Sequence, residues 1–218
     1  MIDIVTINKN NKEGLVHTIK SVVNQTFFDR INYIIIDGGS TDGSKEVIEQ
    51  YQDKLTYWCS EPDKGIFNAM NKSIPYLTGS HVLYLNSGDY LHNNKTIEGV
   101  YELLDKDIVY GNEIFEGSAN SWTSKYPDSL DEGFFRRSAL PHQSTFISVN
   151  YIKEHNYDES LRIAGDWTLL REACMKYGAS YKHVPMIISH YKTGGISGRE
   201  FATFQKEKND YYNFKING

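Results

Sequence analysis

The feature that most constrains this 218-residue chain is a rhythm repeated through its first half: a short β-branched run, a polar cluster, then apolar residues at helical spacing. Ile2 to Ile7 reads as a buried strand, followed by Asn8-Lys9-Asn10-Asn11 and then Leu15, Ile19, Val22 and Val23 on one helical face. Ile31 to Ile36 is a second strand, closed by Asp37-Gly38-Gly39-Ser40-Thr41-Asp42-Gly43-Ser44, with Val47, Ile48 and Tyr51 marking the next helix. A weaker strand covers Leu55 to Cys59, a helix starts near Gly65, and Val82 to Leu85 stops at Asn86-Ser87-Gly88-Asp89. Strand and helix in alternation predict a parallel sheet with helices on both faces. Ligands bind such sheets beyond the carboxyl ends of the strands. Here those ends carry Thr6, Asn8, Asp37, Glu61, Asp63 and Asp89.

The second half is less regular. Strands are expected at Ile108 to Tyr110, Thr145 to Val149 and Met186 to Tyr191, and no clear period runs from Gly111 to Pro141. Trp167, Leu170, Ala173, Cys174 and Tyr177 mark a helix that Gly178 is placed to end, and a polar helix is expected from Arg199 to Phe214.

Composition removes several classes of function. A formal net charge of -5 gives no general nucleic-acid footprint. Cys59 and Cys174 form no CxxC or zinc spacing and are expected as free thiols. No apolar stretch approaches the roughly 18 residues that span a bilayer, and the N-terminus enters a strand directly, so the chain reads as cytoplasmic. Gly38 to Lys45 imitates a phosphate-binding loop, but the lysine follows the serine instead of preceding it. No G-x-G-x-x-G follows the first strand, which argues against a dinucleotide site.

Read alone, Asp37 is better explained as the start of a turn, and Asp42 as the cap of the next helix. Its functional reading is a carboxylate accepting from an imide N–H such as that of uracil. Asp89 reads equally well as a turn residue or as a ligand of Mg²⁺ or Mn²⁺ beside a diphosphate.

Taken in order, Thr6-Ile7-Asn8, Ser21 to Thr26, Asp37 to Ser44, Glu61 to Ile66, Asn68 to Lys72 and Leu85 to Asp89 resemble family 2 glycosyltransferases. The resemblance resumes at Pro141 to Ser144, Ala164 to Trp167 and Gly194 to Ser197. It implies an α/β chain of the GT-A type, with a Rossmann-like, mostly parallel central sheet flanked by helices. Residues 1–218 would form one domain: a nucleotide-sugar half to about 110, an acceptor and catalytic half from 111 to 198, and a helical tail from 199 to 218. It implies an inverting hexosyl transfer from a nucleotide-sugar, UDP favoured, to a glycan or lipid-linked acceptor in polysaccharide biosynthesis, with peripheral membrane association at the inner face.

By the same resemblance, Thr6, Asn8, Asp37, Gly39, Asp63, Lys64, Asn71, Asn86 and Ser87 line the donor site, with Asp37 facing the base. Asp166 is the general base, and His142 and Trp167 lie on the acceptor side. Asp89 holds the Mn²⁺ or Mg²⁺ ion, with His190 as an added ligand. Asn86 and Gly88 stand where acids are common in the family's Asp-x-Asp segment, which thins the metal site. Lys64, Lys72, Arg136, Arg137, Arg162 and Arg199 could offset diphosphate charge, although most read as solvated surface. A nucleotidyltransferase and a non-catalytic nucleotide- or carbohydrate-binding module remain as alternatives on the same kind of sheet.

Overall fold

Seven consecutive buried residues, Ile2–Asn8, make β1 the middle of the sheet, because a strand covered on both faces has no solvent side for polar alternation. The computed structural model describes residues 1–117 and 119–216, without the side chains of residues 196, 197, 215 and 216. Ile196 and Ser197 of the Gly194 to Ser197 segment therefore have side chains outside the described set.

The order is β1, α1 (Lys12–Val23), β2 (Ile31–Asp37), α2 (Ser44–Gln50), β3 (Tyr57–Ser60), α3 (Ile66–Ser73), β4 (His81–Tyr84), β5 (Tyr90–Leu91) and α4 (Thr96–Tyr101). It continues with β6 (Ile108–Glu116), β7 (Ser121–Ser124), α5 (Glu132–Arg137), β8 (Thr145–Ser148), α6 (Val149–Glu154), α7 (Gly165–Met175), β9 (Tyr181–Lys192), α8 (Ile196–Arg199) and α9 (Phe201–Tyr211). Among the described residues these strands form one sheet in the order β3-β2-β1-β4-β8-β6-β9-β5, with β7 hanging on β6. The β3-β2-β1-β4 portion is parallel throughout. Antiparallel partners enter at β8, while β6 and β9 run parallel.

Two apolar layers cover the sheet. Leu15, Ile19 and Val22 of α1, Val47 and Ile48 of α2, and Ile97 and Val100 of α4 pack on one face. Phe67 and Met70 of α3 and Trp167 and Leu170 of α7 pack on the other. The chain leaves β1 toward β2 and β3 on one side, then returns to place β4 on β1's other side. That reversal opens a crevice between the ends of β1 and β4.

The stretch from Gly111 to Pro141, which shows no period in sequence, contains most of β6, all of β7 and α5. The β6–β9 register slips between Tyr110 and Glu113, where the extra residues lie on β9. The first six residues of β6 are all buried, so no alternation of apolar and polar residues marks the strand in sequence. Cys59 and Cys174 are free thiols. No helix among the described residues is long and apolar enough to cross a membrane.

Candidate active site

The crevice is floored by strand ends whose side chains divide into inward and outward sets. Asn8 ends β1, and its Nδ2 donates to Asp37 Oδ1 at 2.7 Å and Ser40 Oγ at 3.2 Å. Its Oδ1 is buried and has no partner among the described residues. Asp37 accepts further from Ser40 N at 2.9 Å, Ser40 Oγ at 2.6 Å and Ser60 Oγ at 2.6 Å. Burial alone would push this carboxyl up, but donors from Ser40, Ser60 and Asn8 outweigh it and hold the group below the usual carboxylate range. Asp37 is fully buried, and both of its oxygens accept from protein donors. It pins the 38–44 loop to β1 and β3. The unpaired acceptor at this corner is Asn8 Oδ1.

Other expected donor residues also face inward. Thr6 is buried, with its hydroxyl 3.0 Å from that of Tyr33. Asn71 spends both ends of its amide on the Tyr157 backbone and on Glu159, tying α3 to the loop before α7. Gly39 has φ +73, a left-handed turn that a side chain would strain. Asp63 lies over Gly38: a Cβ at residue 38 would fall 2.1 Å from the Asp63 carboxylate. Lys9 Nζ donates to the Gly38 carbonyl, bringing a cation to the same edge. Lys64 is exposed, with its backbone N–H bonded to Asn68. Of the remaining basic residues, Lys72 pairs with Glu61, Arg162 with Glu200, and Arg136 stacks on Tyr212.

Beyond β4 the chain stays beside β1, with Ser87 N bonded to the Ile7 carbonyl at 3.1 Å. Asn11, which caps α1, reaches across to the Ser87 carbonyl and hydroxyl. Gly88 takes φ +107, and its N–H donates to Thr18 Oγ1 at 3.0 Å. An acid at this position would carry a Cβ in a backbone region that L-residues avoid. Glycine at this position and the turn it takes therefore go together.

Asp89 is nearly buried, and one oxygen accepts from Lys192 N at 3.2 Å. Burial raises its carboxyl to about 7, with His142 and that N–H pulling it down and Glu113 pushing it up. Asn86 Oδ1 is a second buried acceptor without a partner among the described residues. Among the described residues no group of three His, Cys, Asp or Glu is arranged to hold a metal unaided. One carboxylate and one amide oxygen suit a hard divalent cation that takes its other ligands from phosphate and water. His190 does not belong to that set. Its Nδ1 is 2.8 Å from Glu116 Oε1 and its Nε2 is 2.9 Å from His92 Nδ1, which leaves no ring nitrogen for a metal.

The second half converges on the same crevice. Asp166, in the first turn of α7, accepts from the Trp167 N–H at 2.7 Å and lies 2.8 Å from His142 Nδ1. His142 Nε2 is 2.9 Å from Asn86 Nδ2. A continuous line of contacts thus runs from the end of β4, through His142, to Asp166. Burial disfavours the imidazolium of His142, but the Asp166 bond and the charges of Asp166, Asp89 and Glu113 raise its pKa overall. The Asp166 side chain keeps 22% of its surface exposed, so the carboxylate remains open on one side.

Two residues change the picture of the acceptor side. Trp167 is 0% exposed, with its indole N–H donated to the Phe135 carbonyl, so it packs in the core. Glu113 was not expected. It is 1% exposed, bonded to Tyr126 Oη and Gln143 Nε2, and burial raises it to about 7. The signal that could have found it is an acid inside a β-branched and aromatic run, Ile108 to Phe115.

The profile described as Glycosyl transferase family 2 matches residues 3–178. An uncharacterized glycosyltransferase of Mycobacterium tuberculosis is 30% identical over 181 residues, spanning 80% of this chain and 69% of that protein. A PGL/p-HBAD biosynthesis glycosyltransferase of Mycobacterium bovis is 26% identical over 208 residues, 90% of this chain and 79% of its own length. In fold, the chain is similar to S. aureus TarS 1-349 in complex with UDP-GlcNAc, with a TM-score of 0.73 at 13% identity over 98% of this chain and 73% of TarS 1-349. It is similar also to a mannosyltransferase of Pyrobaculum calidifontis in complex with GDP-Man and Mn²⁺, with a TM-score of 0.71 at 11% identity over 92% of this chain and 59% of that one.

Proposed function

Because the chain belongs to glycosyltransferase family 2 and has its GT-A fold, we propose that it transfers a sugar from a nucleoside-diphosphate donor to a saccharide hydroxyl with inversion. The observation that carries this reading is the Asn86–His142–Asp166 line, which couples the crevice at β1 and β4 to an open carboxylate.

In this reading the donor half is residues 1–110, and the nucleoside lies over Asn8, Gly38 and Asp63. Asn8 Oδ1 accepts the imide N–H of the base once the 38–44 loop, bonded to Asn8 through Ser40, moves slightly. UDP is favoured, as in the TarS complexes, although guanine presents an N–H of the same kind. Lys9 lies at the same edge, placed to offset phosphate charge.

Asp89 and the Asn86 amide oxygen would hold the Mg²⁺ or Mn²⁺ ion, which when bound offsets the developing charge of the diphosphate. The Pyrobaculum enzyme's Mn²⁺ supports a divalent ion here. Asp166 takes the proton of the acceptor hydroxyl as that oxygen bonds to the anomeric carbon. The bond from that carbon to the diphosphate oxygen breaks on the opposite side, and the electron pair leaves with the nucleotide. The Trp167 N–H and His142 Nδ1 fix the carboxylate so that its free side meets the acceptor. The acceptor is a glycan or a lipid-linked saccharide, and contact with an inner membrane face would follow from a lipid-linked one.

The test is release of UDP from a panel of UDP-sugars with Mn²⁺ present, with and without added disaccharide. Divalent-dependent release that disaccharide accelerates supports the reading. Pyrophosphate release from UTP and a sugar 1-phosphate, with no UDP release, would replace it with nucleotidyl transfer.

A further inference from the structure

We propose that Phe115, Trp122 and Tyr191 form a platform on which a sugar ring of the acceptor stacks, an inference that rests on the transferase reading above. The three rings come from adjacent strands. Phe115 stands opposite Trp122 across β6–β7 and opposite Tyr191 across β6–β9. Phe115 and Trp122 are stacked at 5.2 Å and within 2° of parallel, and Tyr191 meets Phe115 edge-on at 5.3 Å. Trp122 remains 53% exposed, in contrast to the buried Trp167.

The platform's position gives it a role. Phe115 lies two residues beyond Glu113 on the same strand, past the register slip, so both point to the same sheet face. Two residues of extended chain put Phe115 roughly 7 Å from Glu113. Glu113 bonds to Gln143, the neighbour of His142, and its charge is felt at His142. The aromatic face thus continues the site from the Asp166 side, away from the nucleotide corner at Asn8 and Asp63.

A pyranose has one flank of C–H groups and a rim of hydroxyls. It can lie flat on an indole whose ring is already held by a second ring, so little side-chain freedom is lost on binding. Polar side chains border the rings: Ser124 lies along β7 on the same face, and Thr193 Oγ1 donates to the Glu116 carbonyl. Both hydroxyls keep lone pairs that can accept from the O–H groups of a sugar.

The experiment uses the full chain labelled with 5-fluorotryptophan, whose three tryptophans are Trp58, Trp122 and Trp167. The Trp122 resonance is identified by its loss in Trp122→Phe. Methyl glycosides of glucose, galactose, mannose, N-acetylglucosamine and rhamnose, and their disaccharides, are then titrated to high millimolar concentration. A saturable shift of the Trp122 signal with at least one sugar, weakened in Phe115→Ala, is expected. No shift with any sugar overturns the platform. So does a shift produced by vesicles of phosphatidylglycerol and phosphatidylethanolamine but by no sugar. Thermal stabilisation of the unaltered chain by UDP and Mn²⁺, measured alongside, reports on the donor reading separately.

Discussion

Replacing Glu113 with glutamine should stabilise the protein at mildly alkaline pH, a gain from removing a site residue. The carboxyl is 1% exposed, and burial raises it from an ordinary 4.5 to about 7, against the Tyr126 hydroxyl and His142, which pull it down. A folded-state value above the unfolded one means that the folded protein binds more protons between the two. The associated stability is complete below 4.5 and is lost as pH rises through about 7. At about 1.4 kcal/mol per pH unit, that gap makes ionised Glu113 cost on the order of 3 kcal/mol above about pH 8. Asp89, raised by burial to about 7, and His142, raised by its acid neighbours, bend the curve in the same direction. Glutamine keeps an acceptor for Tyr126, and Gln143 can turn its own amide to accept from the new N–H. Urea unfolding in EDTA at about pH 5 and about pH 8 measures the effect. The wild type should lose stability with rising pH, while Glu113→Gln should lose less and exceed wild type by roughly 2 kcal/mol at the higher pH. A variant less stable than wild type by the same margin at both pH values would refute the assignment of a buried, costly charge.

Three further substitutions probe the crevice. Asp166→Asn keeps the contacts to Trp167 and His142 but cannot take a proton, and should slow UDP release in the presence of acceptor by roughly 10²–10⁴-fold; near-normal turnover would remove it as the base. Asp89→Asn should abolish the extra thermal stabilisation that Mn²⁺ gives in the presence of UDP, while UDP alone still stabilises; an unchanged Mn²⁺ increment in a melting scan would exclude Asp89 as ligand. Gly88→Ala forces a side chain into φ +107 and should cost about 1–2 kcal/mol in urea unfolding, whereas a neutral result would show that the turn relaxes freely.

Much of this architecture is written in local pattern. The runs Ile2 to Ile7 and Ile31 to Ile36 are apolar at nearly every position, which only a doubly covered strand permits, and they became β1 and β2 within a residue of their expected ends. That Asn8 ends a strand and Asp166 opens a helix is also legible, because a polar residue closes the apolar run at the first and precedes the apolar periodicity at the second. Direction was harder to read. Thr6 and Asp37 sit on the expected strands, yet one points at Tyr33 and the other is enclosed by four donors, since the pairing of side chains across strands is not written in either strand alone. The sequence offers His190 as a metal ligand, but the residue after β5, His92, and the last residue of β6, Glu116, meet its two nitrogens from remote parts of the chain. Glu113 and the aromatic ladder are not legible in sequence, because β6 is buried at every position up to Glu113 and its pairing with β7 and β9 is not written in the strand itself.

The claim that the donor lies at the β1–β4 crevice is met most directly by calorimetric titration of UDP, with Mn²⁺, into the wild type and Asn8→Ala. Asn8 Oδ1 is a buried acceptor left without a donor among the described residues, so its removal should weaken UDP binding by about tenfold or more, the worth of one hydrogen bond at a desolvated site. Equal affinity in the two proteins would place the nucleotide elsewhere.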